Sequence, residues 1–318
     1  MRLVFLGTPT FAVPTLEHIA AAGHNVLAVV TQPDRPRGRG QHPAASPVKQ
    51  CAERLGAPVY QPERIRRPEA LEYLRALNAE AMVVVGYGQI IPQSVIDLAP
   101  FGIINVHASL LPKYRGAGPV QWATINGETC TGVTTMRIDA GLDTGDILLQ
   151  AETDIGDDET AVELAGRLST LGAALLVQTL DGLAAGSITP RRQDSTQATY
   201  APLLKKEDGL IDWSYSAQSI HNRVRGLQPW PGAYTTFRNQ TLNIWKTRVV
   251  GQAPRPARDP QVAQTPGHIL TLRPLSIQTG DLPLELLEVQ LEGRKRLSAA
   301  DFANGQRLTD NEILGAPI

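Results

Sequence analysis

The chain has 318 residues, 42% apolar and 19% charged, with a formal net charge of −1. That balance is ordinary for a globular protein of one or two domains and gives no reason to expect disorder, a membrane or a polyanion as partner. The two cysteines, Cys51 and Cys130, have neither metal nor disulfide spacing, so a reducing, cytoplasmic setting is expected. No apolar run approaches the roughly 18 residues of a membrane helix. The run at the N-terminus is broken by Gly7 and Pro9 and is too short for a secretory leader. The halves differ in charge: residues 1–203 carry 16 basic against 20 acidic side chains, residues 204–318 carry 14 against 11. A basic second half hints at a polyanionic partner for that part alone.

In chain order, residues 2–6 predict a buried strand, Gly7-Thr8-Pro9 a turn, 14–22 a helix closed by Gly23, and 25–31 a second strand. This order opens a doubly wound α/β domain with a mostly parallel sheet. It carries no dinucleotide fingerprint, because Gly7 stands alone where three spaced glycines are needed. Residues 33–47 read as a long loop holding four prolines and Arg35, Arg37 and Arg39 at alternate positions. Such guanidinium groups suit phosphates, although a solvated basic loop has the same composition.

Helices are predicted over 47–56 and 68–78, a short strand over 58–60, and a buried strand over 81–85 that runs into Gly86-Tyr87-Gly88. In open α/β sheets, ligands sit outside such strand ends. A short helix fits 92–98. Residues 101–116, FGIINVHASLLPKYRG, then begin as an apolar strand and change character: Asn105, His107 and Ser109 alternate with Val106, Ala108 and Leu110. Period-2 alternation places the three polar side chains on one face, where burial is costly without partners. They read as one wall of a pocket. A helix over 119–126 and a strand over 131–138 lead to the loop Asp139-Ala-Gly-Leu-Asp143-Thr-Gly-Asp146, followed by a strand over 147–151 and a long helix over 159–183.

Residues 189–208 read as a linker between a first domain, 1–188, and a second, 209–318. Beyond it the pattern changes: a helix over 216–226, strands over 233–237, 241–249, 267–272 and 284–291, and a Pro-rich insertion over 251–265. Several short strands separated by turn signals predict a small β-barrel.

N-V-H-A-S-L-L-P-K-Y-R-G at 105–116 together with D-A-G-L-D-T-G-D at 139–146 resembles the signature of the 10-formyltetrahydrofolate-dependent formyltransferases. F-L-G-T-P at 5–9, T-Q-P-D-R-P-R-G-R-G at 31–40, G-L-I-D-W at 209–213 and R-V-R-G-L-Q-P-W-P-G-A-Y at 223–234 are similar to the tRNA-directed branch of that family. The resemblance implies a Rossmann-like catalytic domain followed by an OB-like barrel, with 10-formyltetrahydrofolate as cosubstrate and no metal. It implies methionyl initiator tRNA as acceptor and a monomeric state. Asn105, His107 and Asp143 become the catalytic residues: donors to the developing oxyanion and carriers of the protons that leave the amine and reach the folate. Ser109, Leu110, Leu111 and Pro112 become the folate segment, with backbone near 82–88 and 139–142 around the pterin. The tRNA contacts implied are Arg35, Arg37 and above all Arg39 on the loop, with Lys205 and Lys206 on the linker. Asn, His and Asp alone specify formyl transfer and leave the acceptor open, so a sugar-nucleotide or small-amine acceptor, a formyltetrahydrofolate hydrolase, and an RNA-binding protein on an inactive scaffold stand as alternatives.

Overall fold

The computed structural model describes residues 1–37, 42–251, 265–310 and 312–315. The chain divides into two compact units. Met1–Pro119, Cys130–Asp154 and Ala165–Ala201 form the first; Val120–Thr129, Ile155–Leu164 and Pro202–Ile318 form the second.

The elements of the first stretch are β1 (Arg2–Gly7), α1 (Val13–Ala21), β2 (Asn25–Val30), β3 (Arg35–Arg37), β4 (His42–Ala44), α2 (Pro47–Arg54), β5 (Val59–Tyr60), α3 (Pro68–Ala76), β6 (Ala81–Val85), α4 (Gln93–Ile96), β7 (Ile103–His107), α5 (Pro119–Ile125), β8 (Cys130–Arg137), β9 (Ile147–Asp154) and α6 (Ala161–Ala184). Seven of the strands form one sheet in the order β5-β2-β1-β6-β7-β8-β9, parallel as far as β7 and antiparallel beyond it. The chain builds outward from β1 in one direction and returns beside β1 with β6, so a crevice opens between those two strand ends, where ligands bind in such sheets. The inner strands are buried on both faces, as their unbroken apolar runs require. Val4, Leu6, Met82, Val84 and Ile103 pack with Ile65, Leu74, Val95 and Ile96 on one side. On the other, α6 comes close enough that a Cβ on Gly172 would stand 2.7 Å from the Val106 side chain.

Two details depart from the sequence expectation. The loop at 33–47 contains an antiparallel hairpin, with Arg35 opposite Ala44 and Arg37 opposite His42. Strand β9 runs on to Asp154, three residues past its apolar segment, because β8 supplies a pairing partner along its whole length.

The second unit holds α7 (Ala217–Gly226), β10 (Ala233–Phe237), β11 (Gln240–Val249), β12 (Ile269–Leu272), β13 (Leu275–Ile277), β14 (Leu284–Leu291), β15 (Leu297–Ser298) and α8 (Ala299–Gln306). Its antiparallel sheet has the order β10-β11-β14-β13-β12, with β15 added at β14. One core cluster, including Trp213, Ile220, Phe237, Ile244, Val289 and Phe302, is common to the sheet and both helices. The mostly parallel first sheet and the smaller antiparallel second domain agree with the fold class expected. The expected strands omit β13 and β15, and α8 goes unread although Ser298 caps it by accepting from the Asp301 amide at 3.1 Å. Most of the insertion at 251–265 lies outside the described residues. Among the described residues no helix is long and apolar enough to cross a membrane.

Candidate functional site

Strand β7 ends the run Ile103–His107 beside β6, and it carries Asn105 and His107 two residues apart on one face. Asn105 is half-buried, and no described group hydrogen-bonds its side-chain amide. His107 is buried at 6% exposure, and both of its ring nitrogens face acceptors. Nε2 lies 2.9 Å from the Tyr114 carbonyl oxygen, which can only accept, so the proton of the neutral ring sits on Nε2. Nδ1 is then a lone pair facing Asp143 Oδ2 at 3.6 Å. A proton added there converts the contact into an ion pair.

Asp143 reaches this position from the β8–β9 loop. Its own backbone is in the left-handed region, with φ 51°. The same Oδ2 accepts from the Gly116 amide at 2.9 Å. Gly116 has φ 117°, and a Cβ there would stand 2.7 Å from the Ala201 carbonyl oxygen, so only glycine fits. Behind the loop, Gln193 Nε2 donates to the carbonyls of Asp143 and Gly145, both at 2.8 Å. Gln193 Oε1 accepts from Arg115 Nε and from its terminal nitrogen at 3.0 and 2.7 Å. Arg115 and Gln193 are buried, at 3% and 7% exposure. Sequence reasoning missed both. Arg115 lies inside the motif and was available to it, whereas Gln193 carries no local signal.

Of the four residues expected to line a folate site, the structure turns two inward and leaves two half-buried. Ser109 Oγ donates to the Lys113 carbonyl at 2.6 Å and is fully buried. Leu111 packs with Met136 and Ile147. Its amide donates to Thr134 Oγ1 at 3.1 Å, and its carbonyl accepts from Gln150 at 3.0 Å. Leu110 and Pro112 stay partly accessible. Leu142, beside Asp143, is 60% exposed and Ile90, just past β6, is 94% exposed, so both loops that flank this region offer bare apolar side chains.

At the crevice between β1 and β6 lies a cavity of about 450 Å³ lined by Thr8, Pro9, Gln32, Arg35, Gly86 and Tyr87, among others. Arg35 is exposed on β3, Arg37 is the last residue of that strand, and Arg39 lies outside the described residues. Lys205 and Lys206 are exposed at the start of a short turn, Lys206–Gly209, in the second unit. His107 and Asp143 meet in the first unit, 3.6 Å apart, and Asn105 lies two residues from His107 on the same face of β7. Among the described residues no group of three or more His, Cys, Asp or Glu is arranged to hold a metal ion.

Residues 1–180 match the family model described as formyl transferase, and residues 203–307 match the formyl transferase C-terminal domain. A methionyl-tRNA formyltransferase of Solibacter usitatus is 70% identical over 315 residues, 99% of each chain, and one of Koribacter versatilis is 54% identical over 319 residues, again 99% of each. Among solved structures, a Helicobacter canadensis N-formyltransferase in complex with folinic acid and dTDP-3-aminofucose superposes with a TM-score of 0.64 at 18% identity, covering 89% of this chain and 98% of that one. HypX of Aquifex aeolicus with tetrahydrofolic acid gives 0.63 at 15% identity over 95% of this chain, which spans about half (47%) of HypX. At such identities the structural likenesses speak for the fold. The matches to both models, over 1–180 and 203–307, and the near-full-length match to a 70% identical relative place the chain in the formyl transferase family.

Proposed function

We propose that the chain transfers the formyl group of 10-formyltetrahydrofolate to the α-amine of methionyl initiator tRNA. The observation that carries the chemistry is the free Asn105 amide two residues from a His107 ring whose Nδ1 faces Asp143. The acceptor rests on the methionyl-tRNA formyltransferases that share 70% and 54% of the sequence over nearly the whole chain.

The cosubstrate supplies an activated formyl group. Asn105 donates to the formyl oxygen, on which charge gathers as the amine adds; a donor of this kind is worth about 10²–10³ in rate. His107 Nδ1 takes the proton that the amine releases, directly or through water, and Asp143 stabilises the resulting imidazolium; the proton then passes to N10 of the folate as the bond between N10 and the formyl carbon breaks, the carbonyl re-forms and tetrahydrofolate leaves. The Nε2–H bond to Tyr114 spends the other ring nitrogen, so in this arrangement oxyanion donation falls to Asn105 and proton transfer to the His107–Asp143 pair. Leu110, Pro112, Leu142 and Ile90 give the folate ring apolar surface. The hairpin arginines and Lys205 and Lys206 meet tRNA phosphates, which makes binding salt-dependent. The enzyme works as a cytoplasmic monomer without a metal.

Incubation with 10-formyltetrahydrofolate and charged initiator tRNA tests the reading, with formylmethionyl-tRNA as the expected product. No product there, together with formylation of a dTDP-amino sugar, would move the chain to the sugar branch. Release of formate without any acceptor would make it a hydrolase.

A further inference from the structure

The hairpin β3–β4 is tied at its base by two side-chain clasps. Thr31 Oγ1 and Ser46 Oγ are 2.8 Å apart and buried, and Ser46 Oγ also accepts from the Lys49 amide at 3.1 Å as the N-cap of α2. One turn further out, Lys49 Nζ donates to Asp34 Oδ2 at 2.5 Å. Asp34 Oδ1 accepts from Gln61 Nε2 at 2.8 Å, and the same amide donates to the Gln32 carbonyl at 2.9 Å. Gln32 in turn donates to the Tyr87 carbonyl at 3.1 Å, which fixes the start of the hairpin to the β6 end of the cavity. Each clasp spans fifteen residues of sequence. The neighbour of Asp34 is Arg35, which lines the cavity.

We propose that Asp34 and Lys49 are positioning residues whose clasp holds Arg35 at the rim of the cavity, ready for a phosphate of the acceptor end. This rests on the reading of the hairpin as the tRNA arm. The Asp34 and Lys49 side chains are 29% and 20% exposed, and ion pairs this close to solvent add little to folding. Their effect is therefore geometric. Without the clasp the described base of the hairpin would have to be ordered each time tRNA arrives, and that ordering would be subtracted from affinity. The clasp meets the cost during folding. Hydrogen bonds from Lys49 and Gln61 hold the pKa of the Asp34 carboxyl below its usual value, which favours the carboxylate that Lys49 and Gln61 bind.

The test is steady-state formyl transfer by the full chain with Asp34→Asn, Lys49→Met, the double variant and Arg35→Ala. Each single clasp variant is expected to raise KM for charged tRNA about three- to tenfold, with KM for the folate unchanged, and the double variant to be no worse than the more damaged single. Strict additivity, equal rises in both KM values, or an unchanged tRNA KM in the clasp variants would overturn the proposal. If Arg35→Ala raises the tRNA KM while the clasp variants do not, the clasp fails and the tRNA arm stands. If Arg35→Ala leaves it unchanged, both fall.

Discussion

The His107 imidazole and the Tyr114 carbonyl, seven residues apart, lie 2.9 Å from one another, and this bond decides which ring nitrogen faces Asp143. In the proposed mechanism, a histidine held in one tautomer accepts a proton at one place only. His107→Ala removes that acceptor and is expected to lower kcat by about 10²–10⁴. Binding of charged tRNA, followed by filter retention or fluorescence, should stay near wild type. Equal losses in both would make His107 a structural residue.

Asp143→Asn keeps the shape and the Gly116 hydrogen bond but removes the charge that stabilises the imidazolium. Turnover should drop by orders of magnitude with an unchanged melting temperature, and wild-type turnover would exclude the carboxylate from proton transfer. Asn105→Ala separates the two halves of the chemistry. It should cost about 10²–10³ in kcat without altering the pH profile, since the donor carries no titrating proton.

Gln193→Ala leaves the buried Arg115 guanidinium without its acceptor and frees the carbonyls of Asp143 and Gly145. A loss of about 1–3 kcal/mol in stability is expected from the unsatisfied groups. Denaturant titration measures it. Because the Asp143 loop loses its rear support, kcat should fall as well, while Gln193→Glu, which keeps the acceptor for Arg115, should retain more stability than the alanine variant.

A pH effect is expected from the second unit. His221 accepts at Nδ1 from Thr247 Oγ1 at 2.9 Å and donates from Nε2 to the Asp157 carbonyl at 3.2 Å. Burial pushes its pKa below the usual histidine value, with Arg225 acting in the same direction and the Asp157 carbonyl, Asp158 and Asp157 opposing. Below about pH 6.5 the unfolded chain binds a proton that the folded chain refuses. The stability contributed by neutral His221 is thus full above that pH and is lost as pH falls through it. Melting temperature should decline from pH 7 to 5.5, and His221→Gln should make the decline shallower. An unchanged slope would remove His221 as a source.

Much of the fold was legible because apolar runs buried on both faces leave little choice. The strand at 81–85 is such a run and has the bounds read from sequence; the strand at 284–291 also keeps its bounds, although glutamates and a glutamine interrupt its leucines and valine. The hairpin β3–β4 was not, since prolines and glycines signal a loop while the side-chain clasps at its base join residues fifteen apart that carry no local strand signal. Asn105, His107 and Asp143 were picked out by motif and spacing, and the structure places His107 and Asp143 3.6 Å apart with Asn105 on the same strand as His107. Gln193 was invisible because its role arises only when a segment fifty residues away folds against the Asp143 loop. The inward turn of Ser109 also escaped the alternation argument, because β7 ends at His107 and the hydroxyl bends back to Lys113.

The segment that carries Gln193 continues to stitch the motif loop from behind. The Arg115 amide donates to the Thr199 carbonyl at 2.9 Å, the Ala201 amide donates back to the Arg115 carbonyl at 2.8 Å, and the Gly118 amide donates to the Ala201 carbonyl at 3.1 Å. The Tyr114 amide, whose own carbonyl orients His107, donates to Thr199 Oγ1 at 2.8 Å. A fragment cut after α6, at the boundary that helical periodicity invites, would keep every residue of the catalytic motifs and lose the strap that shapes them. Any minimal catalytic fragment of this chain has to run at least to Ala201.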